Sequence, residues 1–165
     1  MTNAIRIIGL DPGLRHTGWG VIVCTGARLS HVAHGVVSPP ADLPMAARLL
    51  HLLEGLRRVV VEHAPDEAAV EEVFVNVNPA STLKLGHARA ASLLAPAEAG
   101  LPVAEYAARL VKKAVVGGGS ADKTQIAFMV RRLLPAAGPV SADAADALAV
   151  AVTHAHLRRS LRQAS

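Results

Sequence analysis

Ile5-Arg6-Ile7-Ile8-Gly9-Leu10-Asp11-Pro12-Gly13 is an apolar run that stops abruptly on an acid followed by Pro-Gly. Its β-branched residues favour a buried strand, and Asp11 falls where that strand ends. Ligands in open α/β sheets gather at strand ends where the backbone diverges, so an acid there marks a site. Asp-Pro-Gly is also an ordinary turn sequence, and from these residues alone the two readings weigh evenly.

Outward from this run, Thr17-Gly18-Trp19-Gly20-Val21-Ile22-Val23 reads as a second strand across a turn of hairpin length. Leu29 to Val37 reads as a third, ended by Pro39-Pro40. Helical spacing from Asp42 to about His63, with Pro44 in a first turn, predicts a helix. Glu67 to Phe74 is a strand, Pro79 to Glu98 a helix that Pro96 kinks or ends, and Pro102 to Tyr106 a short strand. Ala107 to Val116 leads to a Gly117-Gly118-Gly119 break, and a helix capped by Ser120 runs from about Ala121 to Leu134. Pro135 to Pro139 is a loop, and Ser141 to about Arg159 forms the last helix. The order β-β-β-α-β-α-β-α-α describes one mixed-sheet α/β domain over residues 1–165.

A chain of 165 residues can bury one real core but not two large lobes. With 52% hydrophobic and only 2% aromatic residues, that core must be Ala, Val and Leu, which leaves few rings for stacking platforms. Phe74, Phe128, Tyr106 and Trp19 are those rings. The formal charge of +4 permits an anionic partner such as nucleic acid without requiring one. Cys24 is alone, which excludes an internal disulfide and a cysteine-based metal site and fits a reducing compartment. No signal-like N-terminus and no apolar run of about 18 residues occurs, so the expectation is a soluble cytoplasmic protein without a membrane partner.

Three further acids interrupt apolar surroundings. Glu71, inside Ala69-Val70-Glu71-Glu72-Val73-Phe74, shares a strand face with Ala69 and Val73, where a carboxylate is costly without a partner or metal. Glu72 faces the other way and reads as a solvated charge. Asp143 and Asp146 project from one side of a helix near its N-terminus. First-turn acids commonly complement the helix dipole, but the surrounding alanines would let another surface approach closely, and the pair reads as inward-facing. Four carboxylates brought together would repel one another unless hard divalent cations such as Mg²⁺ or Mn²⁺ joined them. Two such ions serve in-line phosphodiester displacement. Convergence of the four is beyond what spacing shows.

Ile8-Gly9-Leu10-Asp11-Pro12-Gly13, Ala69-Val70-Glu71-Glu72-Val73-Phe74, Leu83-Lys84-Leu85-Gly86-His87-Ala88-Arg89 and Ala142-Asp143-Ala144-Ala145-Asp146-Ala147-Leu148-Ala149 together resemble the RuvC family of crossover junction endodeoxyribonucleases. The likeness runs in order along nearly the whole chain, through Glu105-Tyr106-Ala107-Ala108-Arg109 and Val115-Val116-Gly117-Gly118-Gly119-Ser120-Ala121. It implies a ribonuclease H-like mixed five-stranded sheet flanked by helices, a homodimer, and resolution of four-way DNA (Holliday) junctions by paired nicks. Asp11, Glu71, Asp143 and Asp146 match the family's metal-binding catalytic acids, for two Mg²⁺ or Mn²⁺ ions per site. Phe74 occupies the family's junction-probing aromatic position, although a core Phe closing the strand is the equal reading of the residue itself. Lys112 and Lys123 match basic positions near DNA, and Arg109 and Lys113 extend that track; without the family all four read as a solvated helical face. A branch-migration helicase complex is a further partner the family suggests.

One departure is that Val75-Asn76-Val77-Asn78 carries no basic residue, whereas relatives often place one near Val77. His154 and His156 read as surface or packed histidines rather than ligands. Arg158, Arg159 and Arg162 are open to DNA contact or to a plain helix-end role. The Ala-rich helix from Ala80 to Leu94 is open to dimer contact or to packing within the monomer. Two rival functions stand: an actin-like nucleotide-binding relative, through Asp11-Pro12-Gly13 and Thr17 to Val21, and a junction-binding protein without catalysis. The first needs two lobes; the intact acid set argues against the second.

Overall fold

The computed structural model describes residues 3–72 and 78–163, with side chains as far as Arg158. Strands β1 (Ala4–Asp11), β2 (Thr17–Thr25) and β3 (Arg28–Val37) come first, followed by α1 (Met45–His63), β4 (Glu67–Glu72), α2 (Pro79–Glu98) and β5 (Val103–Ala107). Then come α3 (Ala108–Val116), α4 (Lys123–Leu133), a 3-10 turn at Pro135–Ala137 and α5 (Ala142–Gln163). The sheet order is β3-β2-β1-β4-β5, antiparallel through β3, β2 and β1 and parallel through β1, β4 and β5.

Strand alternation sorts the core into two layers. Ile7, Ile22 and Ala69 pack with Val111, Val130 and Leu148 of α3, α4 and α5. Ile8, Leu10, Val21 and Val70 face the other way, onto Leu56 and Val59 of α1 and Ala95 of α2. Helices on both faces of the sheet give a three-layer arrangement that covers both sides of its parallel half.

The Ala-rich α5 lies directly on β1 and β2 because glycines clear its path. A Cβ on Gly9 would overlap the Ala147 carbonyl oxygen and come within 2.6 Å of the Ala151 nitrogen. One on Gly18 would strike the Asp143 carbonyl, and one on Gly20 the Leu148 side chain. The far half of α5 is tied to the start of β4: Arg158 donates to Glu67 through Nε at 2.8 Å and Nη2 at 2.5 Å, and the His154 Nε2 lies 2.7 Å from the same carboxylate. The Tyr106 hydroxyl closes the chain at 2.7 Å from His154 Nδ1. Hydrogen bonding from Arg158, foremost, holds the Glu67 carboxyl below its usual range. Because that shift is downward, its stabilisation is present above the ordinary glutamate value of 4.5 and lost as pH falls through the folded value. Arg158→Ala is therefore expected to lower unfolding free energy by about 2–3 kcal/mol at pH 7, a gap that closes on acidification in urea titrations.

Several elements differ from the sequence expectation. Ala108–Val116, given no helix bounds although its basic residues read as a helical face, is a helix; it follows β5 directly and has no side-chain cap, so no start signal announces it. α4 is capped not by Ser120 but by Asp122, whose carboxylate accepts from the Gln125 N–H at 2.9 Å while Gln125 reaches back to the Asp122 N–H. α1 starts at Met45 with Pro44 at the cap position. Pro96 does not end α2: it sits in the last turn, where only one backbone bond is forgone. α5 runs on to Gln163.

Candidate active site

Asp11 ends β1 and Glu71 comes one residue before the end of β4. The parallel register pairs Gly9 with Ala69 and Leu10 with Val70, which carries Asp11 level with Glu71. Each lies two residues beyond a position facing α5, so both carboxylates project to that side. There α5 begins: Ser141 Oγ accepts from the Ala144 N–H at 3.4 Å, and Asp143 and Asp146 follow within its first two turns. The ends of two central strands and the helix start thus bring Asp11 together with acids 60 to 135 positions further along the chain.

Asp11, Glu71 and Asp146 line one cavity of about 440 Å³, with Lys112 of α3 and Asp122 and Lys123 at the head of α4. Asp143 faces the adjacent cleft, yet its charge is felt at both Asp11 and Asp146. Burial, then repulsion from Glu71, Asp146 and Asp143, pushes the Asp11 carboxyl up to about 8. Burial and Asp146 raise Glu71, against the pull of Lys112 and Lys123. Burial also raises Asp146, opposed by Lys123, whose Nζ lies 3.7 Å from Asp146 Oδ2. Among the described residues no three carboxylates, imidazoles or thiols already stand at ligand spacing around one point. The donor set nonetheless fits a hard divalent cation, because oxygen-only ligands whose charges are mutually destabilised gain most from one. Asp122, absent from the sequence reading of the site, was marked by the Asp-x-x-Gln spacing of its capping box.

The Asp11 shift has a measurable sign. Between its ordinary value of 3.8 and about 8, the unfolded chain gives up a proton that the folded chain keeps, so metal-free stability falls across that window and flattens above it. In chelator, Asp11→Asn is expected to unfold at higher temperature than the native protein at pH 8–9 and at the same temperature below pH 4. Calorimetry at the two pH values checks this.

A family model described as Crossover junction endodeoxyribonuclease RuvC matches residues 7–154, a span holding all four acids and both lysines. The chain belongs to the RuvC family. A RuvC from Caulobacter vibrioides is 66% identical over 158 residues, covering 96% of this chain and 94% of that protein. One from Azorhizobium caulinodans is 64% identical over 168 residues, covering 100% and 99%. Among solved structures, Thermus thermophilus RuvC in complex with a Holliday junction substrate superposes with a TM-score of 0.87 at 35% identity, over 94% of this chain and 96% of that one. The yeast mitochondrial resolvase Ydc2, at a TM-score of 0.68 and 11% identity, shares the fold alone. The expected ribonuclease H-like α/β fold is therefore the observed one, and the match leaves the nucleotide-binding alternative unfavoured.

The other positions singled out by the RuvC resemblance fall as follows. Lys112 and Lys123 both line the acid cavity. Arg109 and Lys113 are exposed on α3, and the Arg109 side chain packs so closely over Gly119 that a Cβ there would meet its Cγ at 2.7 Å. The glycine break is less free than a bare loop: Gly117 ends α3 at φ 95°, and Gly118 accepts from the Ala121 N–H at 3.2 Å. Phe74 and Val77 lie outside the described residues. His154 is packed, as expected, while Arg158 is committed to Glu67 rather than to a ligand surface. Glu72 is exposed, as expected. No helix among the described residues is long and apolar enough to cross a membrane.

Proposed function

We propose that residues 1–165 act as one cytoplasmic nuclease domain that resolves Holliday junctions in recombination and repair by metal-assisted phosphodiester hydrolysis. The observation that carries this is the shared cavity in which Asp11, Glu71 and Asp146 meet Lys112 and Lys123. Asp11, Glu71, Asp143 and Asp146 would together hold two Mg²⁺ or Mn²⁺ ions, which when bound supply positive charge to the attacking and leaving oxygens of an in-line displacement.

The chain's own groups do the rest. The acids repel a bare phosphate, so the cavity would admit a phosphodiester only once cations offset them. Lys112 and Lys123, on the rim, offset part of the same repulsion and draw the backbone in; Phe74, Arg109 and Lys113 are the further DNA contacts. A water oxygen forms the new P–O bond, the 3′ oxygen leaves with the electron pair, and a 5′-phosphate results. No covalent enzyme intermediate is formed.

A four-way junction has two symmetry-related strands to cut, which calls for a homodimer with one site per strand. Leu83 and Leu94, 64% and 54% exposed and eleven residues apart on α2, are the proposed contact between subunits. A branch-migration helicase complex is the further partner of this reading.

An end-labelled mobile four-way junction with Mg²⁺ or Mn²⁺ tests it. Symmetrically placed, ligatable nicks are expected. Tight junction binding with no nick under either metal would instead favour a recognition protein without catalysis.

A further inference from the structure

Beside the acid cavity lies a second cleft of about 500 Å³ that shares Asp143 with the proposed metal set but whose basic lining the nuclease reading leaves without a role. Its basic groups come from three separate elements: Arg15 and His16 from the β1–β2 loop, Arg48 from α1, and Lys84 from α2. Among the described residues none of Arg15, Arg48 and Lys84 takes part in an ion pair. Arg48 is the most committed: its Nη2 donates to the Leu14 carbonyl at 3.4 Å, while its Nε is buried and finds no acceptor among the described residues. One carboxylate, Asp143, lines the same concavity against these three cations, which leaves it a net positive charge that an anionic ligand offsets.

The loop bearing Arg15 and His16 is tied to its surroundings by hydrogen bonds. Thr17 Oγ1 donates to the Gly13 carbonyl at 2.7 Å and accepts from the Gly13 N–H at 3.2 Å, and the His16 Nδ1 lies 2.7 Å from Ser38 Oγ. The two hollows share their walls. The end of β1 gives Asp11 to the first and the loop that follows gives Gly13 to the second, and the start of α5 gives Asp146 to the first and Asp143 to the second. A chain of phosphates crossing the acids from the Lys112 and Lys123 side would run next into this basic cleft.

We propose that the cleft formed by Arg15, Arg48 and Lys84 is a backbone subsite that holds a phosphodiester of the cut strand adjacent to the one at the acids. The inference rests on the resolvase reading and deepens it: the strand is gripped on both sides of the acids, by Lys112 and Lys123 on one and by this cleft on the other. Phosphate contacts fix register without reading sequence, so this grip positions the strand and does not set base preference.

The test uses the whole 165-residue chain carrying Asp146→Asn, with binding to a four-way junction measured from about 50 to 200 mM salt. Adding Lys84→Gln, at an exposed position, is expected to flatten the plot of log Kd against log salt by roughly 0.9 for one lost phosphate contact, so affinity falls roughly 3-fold less over that range. Arg15→Gln is expected to act likewise, Lys84→Arg to restore the native slope, and thermal unfolding to stay unchanged. An unaltered slope and Kd in both glutamine variants, with junction binding otherwise intact, overturns the subsite alone. If the Asp146→Asn protein with its cleft intact binds no junction, the resolvase reading falls and the subsite falls with it.

Discussion

Asp146→Asn is expected to abolish junction nicking, by more than about 10²-fold, while junction binding survives. Changes merely around a metal ligand cost about 10–100-fold, so removing one of the proposed ligands itself must cost more. The loss will not come from unfolding. Asp146 is raised by burial, and its charge raises both Asp11 and Glu71, so an amide there relieves three groups at once. It also releases Lys123, whose Nζ lies 3.7 Å from Asp146 Oδ2, for phosphate contact. The variant is accordingly expected to melt no lower than the native protein in chelator and to bind the junction no more weakly. Residual symmetric nicking at near-native rate would remove Asp146 from the proposed metal set.

Gly18→Ala is expected to be among the most damaging single substitutions outside the acids, although it adds one carbon. The new Cβ would fall on the Asp143 carbonyl group, 2.5 Å from its carbon and 3.1 Å from the Ala144 nitrogen. These are backbone atoms of α5, so no rotamer change relieves the overlap and the helix itself must move. A cost of about 3 kcal/mol or more follows, since overpacking against fixed groups reaches the upper end of its usual range. For a chain of this size that is a fall in Tm of roughly 10 °C. Nicking should drop beyond what instability explains, because the displaced turn carries Asp143 and Asp146. Gly86→Ala provides the contrast: nothing lies within 4 Å of a Cβ there, and a helical Gly→Ala change is worth about 0.5–1 kcal/mol of stabilisation. Equal melting temperatures for the two variants would contradict this account of how α5 is seated.

By itself the sequence determined the strand-rich opening, the mixed sheet and the identity of the acids, because these are written in local signals. Ile5 to Asp11 reads as a buried strand through its β-branched content and its stop, and Glu71 is conspicuous as a carboxylate on an apolar strand face. The family motifs then tied four separated segments to one chemistry. The start of α3 was not legible: Gly117 marks its end with a left-handed cap, but it begins without a cap or a break, and burial of Val111 and Val115 against its neighbours holds it. Only the tertiary structure decided that Asp11, Glu71 and Asp146 share a cavity while Asp143 turns to the next one, and that Arg15, Arg48 and Lys84 converge beside it. The same holds for Arg158, whose partner Glu67 lies 91 residues away. The physical reason is common to all three: a side chain's charge and its period along the backbone are local properties, whereas which charges meet depends on strand register and on how closely α5 can settle, and the latter turns on absent atoms at Gly9 and Gly18.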